Sequence, residues 1–200
     1  PAELGAPTPL MYAMRERERL MDLIEGVTGG RFHPNFNRIG GVKPAAGGGG
    51  KQKTTSQDLP EGFITGTHRA LAAVRGVCDD LEGLVLGNEI VQQRTVGVGV
   101  LPGERAVEYG VSGPNLRASG VAFDLRKVED YLPYDRFDFD VVVGQNGDAY
   151  DRCRVRLEEI RQSTRIIEQA LDSLPAGPLQ AKVPRVIKVP KGECYGRAAN

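Results

Sequence analysis

The chain has 200 residues, 26 of them basic and 26 acidic, for a formal net charge of zero. That length allows one domain of ordinary size or two small ones. The balanced charge argues against a protein whose task is to neutralise nucleic-acid phosphates.

Apolar residues make up 40% of the chain, beside 26 glycines and 13 prolines. Long stretches are therefore loop, turn or extended backbone, while recurring apolar sets argue against global disorder. No apolar run approaches the roughly 18–20 residues of a membrane span, and no signal segment opens the chain, so it reads as soluble. Cys78, Cys153 and Cys194 are too few, too far apart and odd in number for a disulfide framework. Without a C-x-x-C the chain holds no metal cluster of its own at a usual spacing. The chain starts at Pro1 and ends at Asn200; we read it as a fragment or a processed piece.

The spacing predicts a first helix over 8–26, with Thr8 as N-cap, Pro9 at the first position and an apolar stripe of Leu10, Met14, Met21 and Ile24. Arg15-Glu16-Arg17-Glu18-Arg19 alternates in sign on the outer face, as a solvated surface or a contact with another polypeptide. Residues 31–42 read as extended, since Pro34 excludes a helix there. Residues 44–57 are a low-complexity, Gly-rich surface loop. A second helix is expected over 59–86, with Phe63, Leu71, Val74, Val77, Cys78, Leu81 and Leu84 on its apolar side, then a short helix over 88–95.

Residues 96–120 are turn-rich. Residues 137–143 (FDFDVVV) alternate and then run apolar, which predicts a strand, and Asn146-Gly147 marks a turn. The clearest element is 149–174. There Cys153, Leu157, Ile160, Thr164, Ile167, Leu171 and Leu174 step by four and three as one buried seam. Residues 179–200 read as extended. The fold expected is mainly α (α+β): a helical core with small β excursions.

Few residues point to chemistry. His68 lies inside the second helix and reads as an ordinary surface or boundary residue. His33 sits in RFHPNFNRIGG between Arg31 and Arg38, near two glycines that bring backbone close to a neighbour. It is either a histidine satisfied by backbone in a tight turn or a proton-active or cofactor-tuning group. Ser112 and Ser119 lack a nucleophile-elbow context. The glycines of 97–103 lack the Gly-Lys-Ser/Thr of a P-loop.

Several blocks together resemble one family. They are ELGAPTP and MRERERLMDLIEGVTGGRFHPNFNRIGGV (within 3–42), DLPEGF (58–63), GNEIVQQRTVGVGVL (87–101), GVSGPNLRASGVAFDLRK with the run to IIEQAL (110–171), and PKGECYGR (190–197). The family is the D subunit of the proton-pumping NADH-quinone oxidoreductase, respiratory complex I. The Gly-rich 44–57 departs from it and looks like an insertion. The resemblance implies a nickel–iron hydrogenase large-subunit-like helical core, incomplete here, as one partial domain over 1–200. It implies a cavity, shared with the B subunit of the complex, that holds quinone beside that neighbour's terminal iron–sulfur cluster. The implied partners are the B and C subunits and the membrane arm, with the protein peripheral on the cytoplasmic side of the bacterial plasma membrane.

Residue by residue, His33 matches the family histidine near that cluster, where a hydrogen bond to a sulfur would raise its potential. Glu3 matches an acidic position, usually Asp, that backs the quinone pocket and pairs with a histidine; Glu keeps the charge but lengthens the arm. Arg117, Ser119 and Gly120 belong to a G-P-x-x-R-x-S-G signature, expected as a structural or interfacial loop. Arg31 and Arg38 are expected to supply either positive potential or ion pairs. The family's quinone-contacting His and Tyr fall outside this chain, so the piece alone is expected to be inactive. The alternatives are the large subunit of a related energy-converting nickel–iron hydrogenase, which the RFHPN and RIGG blocks disfavour, and a non-catalytic scaffold.

Overall fold

A computed structural model describes residues 5–44, 58–129, 131–184 and 186–196. Glu3 and all of the Gly-rich segment except Pro44 lie outside the described residues.

Helix α1 runs Thr8–Thr28, two residues beyond the expected end. Pro7, not Thr8, is its N-cap; Pro9 lies in the first turn, and the Pro7 carbonyl accepts the Met11 N–H at 3.2 Å. At the other end the Gly29 N–H donates to Glu25 at 2.8 Å. The α1 stripe foreseen from spacing is not the face that packs. Leu10, Met14 and Ile24 are exposed, whereas Pro9, Glu16 and Val27 are buried. Glu16 is tolerated there because Arg15 and Arg19 each pair with it at 2.7 Å.

Helix α2 runs Phe63–Leu81 and continues as a single π-turn, Glu82–Leu86. The expected helix over 59–86 thus starts later and changes pitch before it ends. The π-turn leaves the Leu86 carbonyl open to the Gln92 side-chain amide (2.7 Å) and the Tyr150 hydroxyl (3.3 Å). Three short helices follow: α3 (Glu89–Thr95), α4 (Gly103–Glu108) and α5 (Gly113–Ala118). Asn88 caps α3 through the N–H groups of Ile90 and Val91. Then come α6 (Leu125–Val128), a 3₁₀ turn (Leu132–Arg136) and α7 (Ala149–Asp172).

Helix α1 packs along α2, α2 along α7, and α5 against α7. The centre between α2 and α7 holds Cys78, Leu86 and Leu157, with Val74, Leu81 and Tyr150 around them. Each fully buried aliphatic side chain there contributes roughly 1.5–3 kcal/mol. The expected α7 seam is split. Leu157 and Thr164 are buried, but Cys153, Ile160 and Ile167 are exposed. Val155 and Ile166 are buried instead. Leu10 of α1, Leu81 and Val85, and Cys153, Leu157 and Ile160 of α7 line an open apolar groove of 470 Å³.

The expected strand over 137–143 does not form. That segment is extended but has no partner strand among the described residues. The side chains of α7 take the partner's place: Gln169 accepts the Asp138 N–H at 2.8 Å and Gln162 the Asp140 N–H at 3.0 Å.

The two-stranded antiparallel sheet among the described residues is the hairpin β1 (Asn37–Arg38) and β2 (Gly41–Val42). Residues 179–181 lie along it, with Val42 N–H on the Leu179 carbonyl (3.0 Å) and Ala181 N–H on that of Gly40 (2.7 Å). A Cβ on Gly41 would sit 2.1 Å from the Leu179 carbonyl oxygen, which explains a glycine there.

Candidate functional site

The residues singled out in the sequence fall in two places. The first is the turn between α1 and the hairpin. Thr28 begins it: the hydroxyl bonds to the carbonyls of Ile24 (2.8 Å) and Gly30 (3.0 Å), tying the helix end to the turn. Arg31 follows and folds back over α1. Its guanidinium pairs with Glu18 (2.5 Å), Asp22 (2.5 Å) and Glu25 (2.8 Å). These carboxylates hold the Arg31 guanidinium well above its ordinary basicity, with the hydrogen bond to Asp22 the largest cause. Of the two roles expected for Arg31, the structure shows ion pairs.

His33 sits in the left-handed region at φ 51°. Its side chain is exposed, and among the described residues nothing hydrogen-bonds its ring. Among the described residues it is not satisfied by local backbone, which leaves its ring nitrogens open to a neighbouring molecule. Arg38 lies on β1 and donates to the Asn35 side-chain carbonyl at 2.5 Å. It braces its own hairpin, and no carboxylate among the described residues pairs with it.

The second place is the buried Arg117 on α5. It is held by α7 and the 123–124 segment, a different set of elements from the His33 turn. Nε and Nη2 reach one oxygen of Glu159 at 2.6 and 2.5 Å. Nη1 donates to the Phe123 carbonyl at 3.0 Å and faces Asp124 at 3.8 Å. Asp124 is also gripped by Arg126 at 2.6 Å. Burial alone would push the Asp124 carboxyl up, but the Arg126 and backbone hydrogen bonds and two nearby guanidiniums outweigh it, and it ionises below the usual range. Arg117 therefore sits on a short helix and turns inward. Ser119 closes α5 through its hydroxyl on the Asn115 carbonyl at 3.2 Å.

The loops around α5 are fastened to the start of α7. Asp148, almost fully buried, caps α7 through the Asp151 N–H (2.8 Å) and accepts the Gly97 N–H (2.8 Å). Asp151 accepts the N–H groups of Gln145 (2.8 Å) and Asn146 (2.7 Å). Those bonds, assisted by Arg154, outweigh the opposing effect of burial and hold the Asp151 carboxyl below its ordinary value. Backbone passes against backbone here: a Cβ on Gly147 would lie 2.3 Å from the Leu101 carbonyl oxygen.

Sequence reasoning missed the partners that define both places. Glu18, Asp22 and Glu25 form a ladder on one face of α1, and their four- and three-residue steps were the available signal. Glu159 carried no such mark, because its pairing with Arg117 spans 42 residues.

Among the described residues no helix is long and apolar enough to cross a membrane, and no group of three or more His, Cys, Asp and Glu residues could hold a metal ion.

Comparison with known proteins places these features in a family. The family described as respiratory-chain NADH dehydrogenase, 49 Kd subunit, matches residues 3–200. The chain is 48% identical over 193 residues to the D subunit of NADH-quinone oxidoreductase from Carboxydothermus hydrogenoformans, covering 96% of this chain and 49% of that protein. It is 46% identical to the corresponding protein of Clostridium beijerinckii over 96% of this chain and 49% of that protein. For that of Myxococcus xanthus the identity is 45%, over 97% of this chain and 44% of that protein. The chain thus spans about half the length of these relatives. With the match running through both the His33 turn and the Arg117 signature, the chain belongs to the family of the 49 kDa subunit of respiratory-chain NADH dehydrogenase.

Proposed function

We propose that this polypeptide is part of the D subunit of a proton-translocating NADH-quinone oxidoreductase and helps form the quinone-reduction site beside the terminal iron–sulfur cluster of the B subunit. The observation that carries this reading is the family match over residues 3–200. The core of the whole protein, in this reading, is the hydrogenase-like helical bundle, of which α1, α2 and α7 are a part. It docks on the B and C subunits and on the membrane arm, as a peripheral protein on the cytoplasmic face of the plasma membrane.

The cluster held by the neighbouring B subunit supplies electrons and the quinone accepts them. This chain's residues set the surroundings. Its fitness for the task rests on His33, an exposed imidazole with both nitrogens open on a turn anchored to α1. A ring N–H donated to a cluster sulfur favours the more negative, reduced form and so raises the midpoint potential. If the ring takes up a proton as that negative charge arrives, the potential falls as pH rises. In this reading Glu3 takes the family's acidic position behind the quinone pocket. Arg117 holds α5 on α7 and keeps this side of the domain in shape.

The test is His33→Ala in the assembled complex, with the cluster followed by redox titration and electron paramagnetic resonance. The midpoint potential should drop and its dependence on pH should flatten. An unchanged potential in a fully assembled variant would overturn the role given to His33.

A further inference from the structure

The turn that carries His33 is held from both sides, but not by the histidine. Before it, Arg31 spans Glu18, Asp22 and Glu25 of α1 at 2.5–2.8 Å. Those acids stand at steps of four and three, so they share one helix face and one guanidinium bridges about two turns. A lone exposed ion pair contributes little, whereas several charges sharing one planar fork define its position. Phe32 adds a second anchor: its ring lies 5.4 Å from the guanidinium carbon of Arg17 on the same helix. After His33, Pro34 fixes its own φ and supplies no backbone donor. Arg38 then ties back to Asn35.

Between these anchors His33 adopts φ 51°, a conformation uncommon among non-glycine residues. No described residue bonds its ring; the contacts that tie this turn to α1 are those of its neighbours Arg31 and Phe32.

We propose that Arg31 is the positioning residue of His33: its clamp on the acidic ladder of α1, seconded by Phe32 on Arg17, holds the 31–34 turn so that the exposed imidazole is presented to the cluster-bearing neighbour. The inference rests on the reading of His33 given above and extends it to a residue that need not touch the cluster itself.

The experiment uses the intact complex with Arg31→Gln, Arg31→Lys and the triple variant Glu18→Gln/Asp22→Asn/Glu25→Gln, beside His33→Ala. Two quantities are read: amide hydrogen exchange of the 31–36 segment and the midpoint potential of the neighbour's cluster. Arg31→Gln should speed exchange about fivefold or more, the response of a segment losing its main tether. It should also move the potential in the direction of His33→Ala, with Arg31→Lys falling between. In the His33→Ala background Arg31→Gln should still speed exchange but leave the potential where it was.

Unchanged exchange in Arg31→Gln would overturn the clamp. Faster exchange with an unmoved potential, where His33→Ala does move it, would overturn the positioning role while sparing the reading of His33. No shift in His33→Ala would overturn that reading and the positioning role with it, and the exchange data would still decide the clamp. If Arg31→Gln fails to assemble, the triple variant, which keeps Arg31 and removes its partners, decides the same points.

Discussion

Removal of the Arg117 side chain offers the most quantitative check on how α5 is held. The Arg117 side chain is 7% exposed and that of Glu159 17%. Nε and Nη2 meet one Glu159 oxygen, and Nη1 covers the Phe123 carbonyl. Breaking a buried pair by deleting one partner costs about 3–5 kcal/mol, because the other charge is left without compensation. Glu159 keeps some access to water and Asp124 keeps Arg126, which places Arg117→Met near the lower end, about 3 kcal/mol. At roughly 2–4 °C per kcal/mol for a chain of this size, the melting temperature should fall by roughly 6–12 °C. Arg117→Lys keeps the charge but cannot reach Glu159 and Phe123 together, and should lose less than Arg117→Met does. Arg117→Met with Glu159→Met removes both charges and should recover to within about 1 kcal/mol of the parent. Urea and thermal unfolding at neutral pH, followed by circular dichroism, measure all three. A loss below about 1 kcal/mol in Arg117→Met, or a double variant no better than the single, would refute the argument.

Other expectations follow from the same geometry. Asp124, Asp151 and Glu168 ionise below their ordinary values in the folded chain, Glu168 chiefly through its hydrogen bond from Arg75. Their stabilisation is therefore complete above the unfolded values near about pH 4 and drains away as pH falls through the folded ones. An acid titration of the unfolding midpoint should show that decline, and Glu168→Gln should make it shallower; an equally steep decline would contradict the assignment. Burial pushes the Cys78 thiol up, and its side chain is enclosed, whereas Cys153 and Cys194 are exposed. Iodoacetamide with peptide mapping should label the latter two first, and equal labelling of Cys78 in the native chain would show that the α2–α7 centre opens readily. Gly147→Ala places a Cβ 2.3 Å from the Leu101 carbonyl at a residue with φ 65°. It should cost about 3 kcal/mol or more in the same unfolding assay, and a neutral result would mean that the 101–147 contact yields easily.

Much of the secondary structure was legible because local rules apply to it. The helices at 8–28 and 149–172 announce themselves by apolar steps of three and four, and the short helix expected over 88–95 forms as Glu89–Thr95. The glycines after Arg38 foretold a close backbone approach, and the 179–181 segment supplies it. The strand over 137–143 was misread because an alternating, apolar run describes extended backbone and not its partner. In the fold its N–H groups meet Gln162 and Gln169 of a helix. Nor does any local pattern announce the π-turn after Leu81, whose surplus carbonyl is answered by Gln92 and Tyr150 from other parts of the chain.

Sequence by itself determined the helical character of the chain, the motif around His33 and the family to which those blocks point. Tertiary structure decided which helix faces are covered. On α1 the Leu10–Met14–Ile24 stripe and the Pro9–Glu16–Val27 set both lie along a helix, and it is the second that is buried. On α7 the regular seam is half exposed, while Val155 and Ile166 are buried beside it. Periodicity records that a helix has an apolar side, but burial depends on which neighbour arrives there. For Arg117 and Glu159, 42 residues apart, that arrival is what turns two charged side chains into a buried pair.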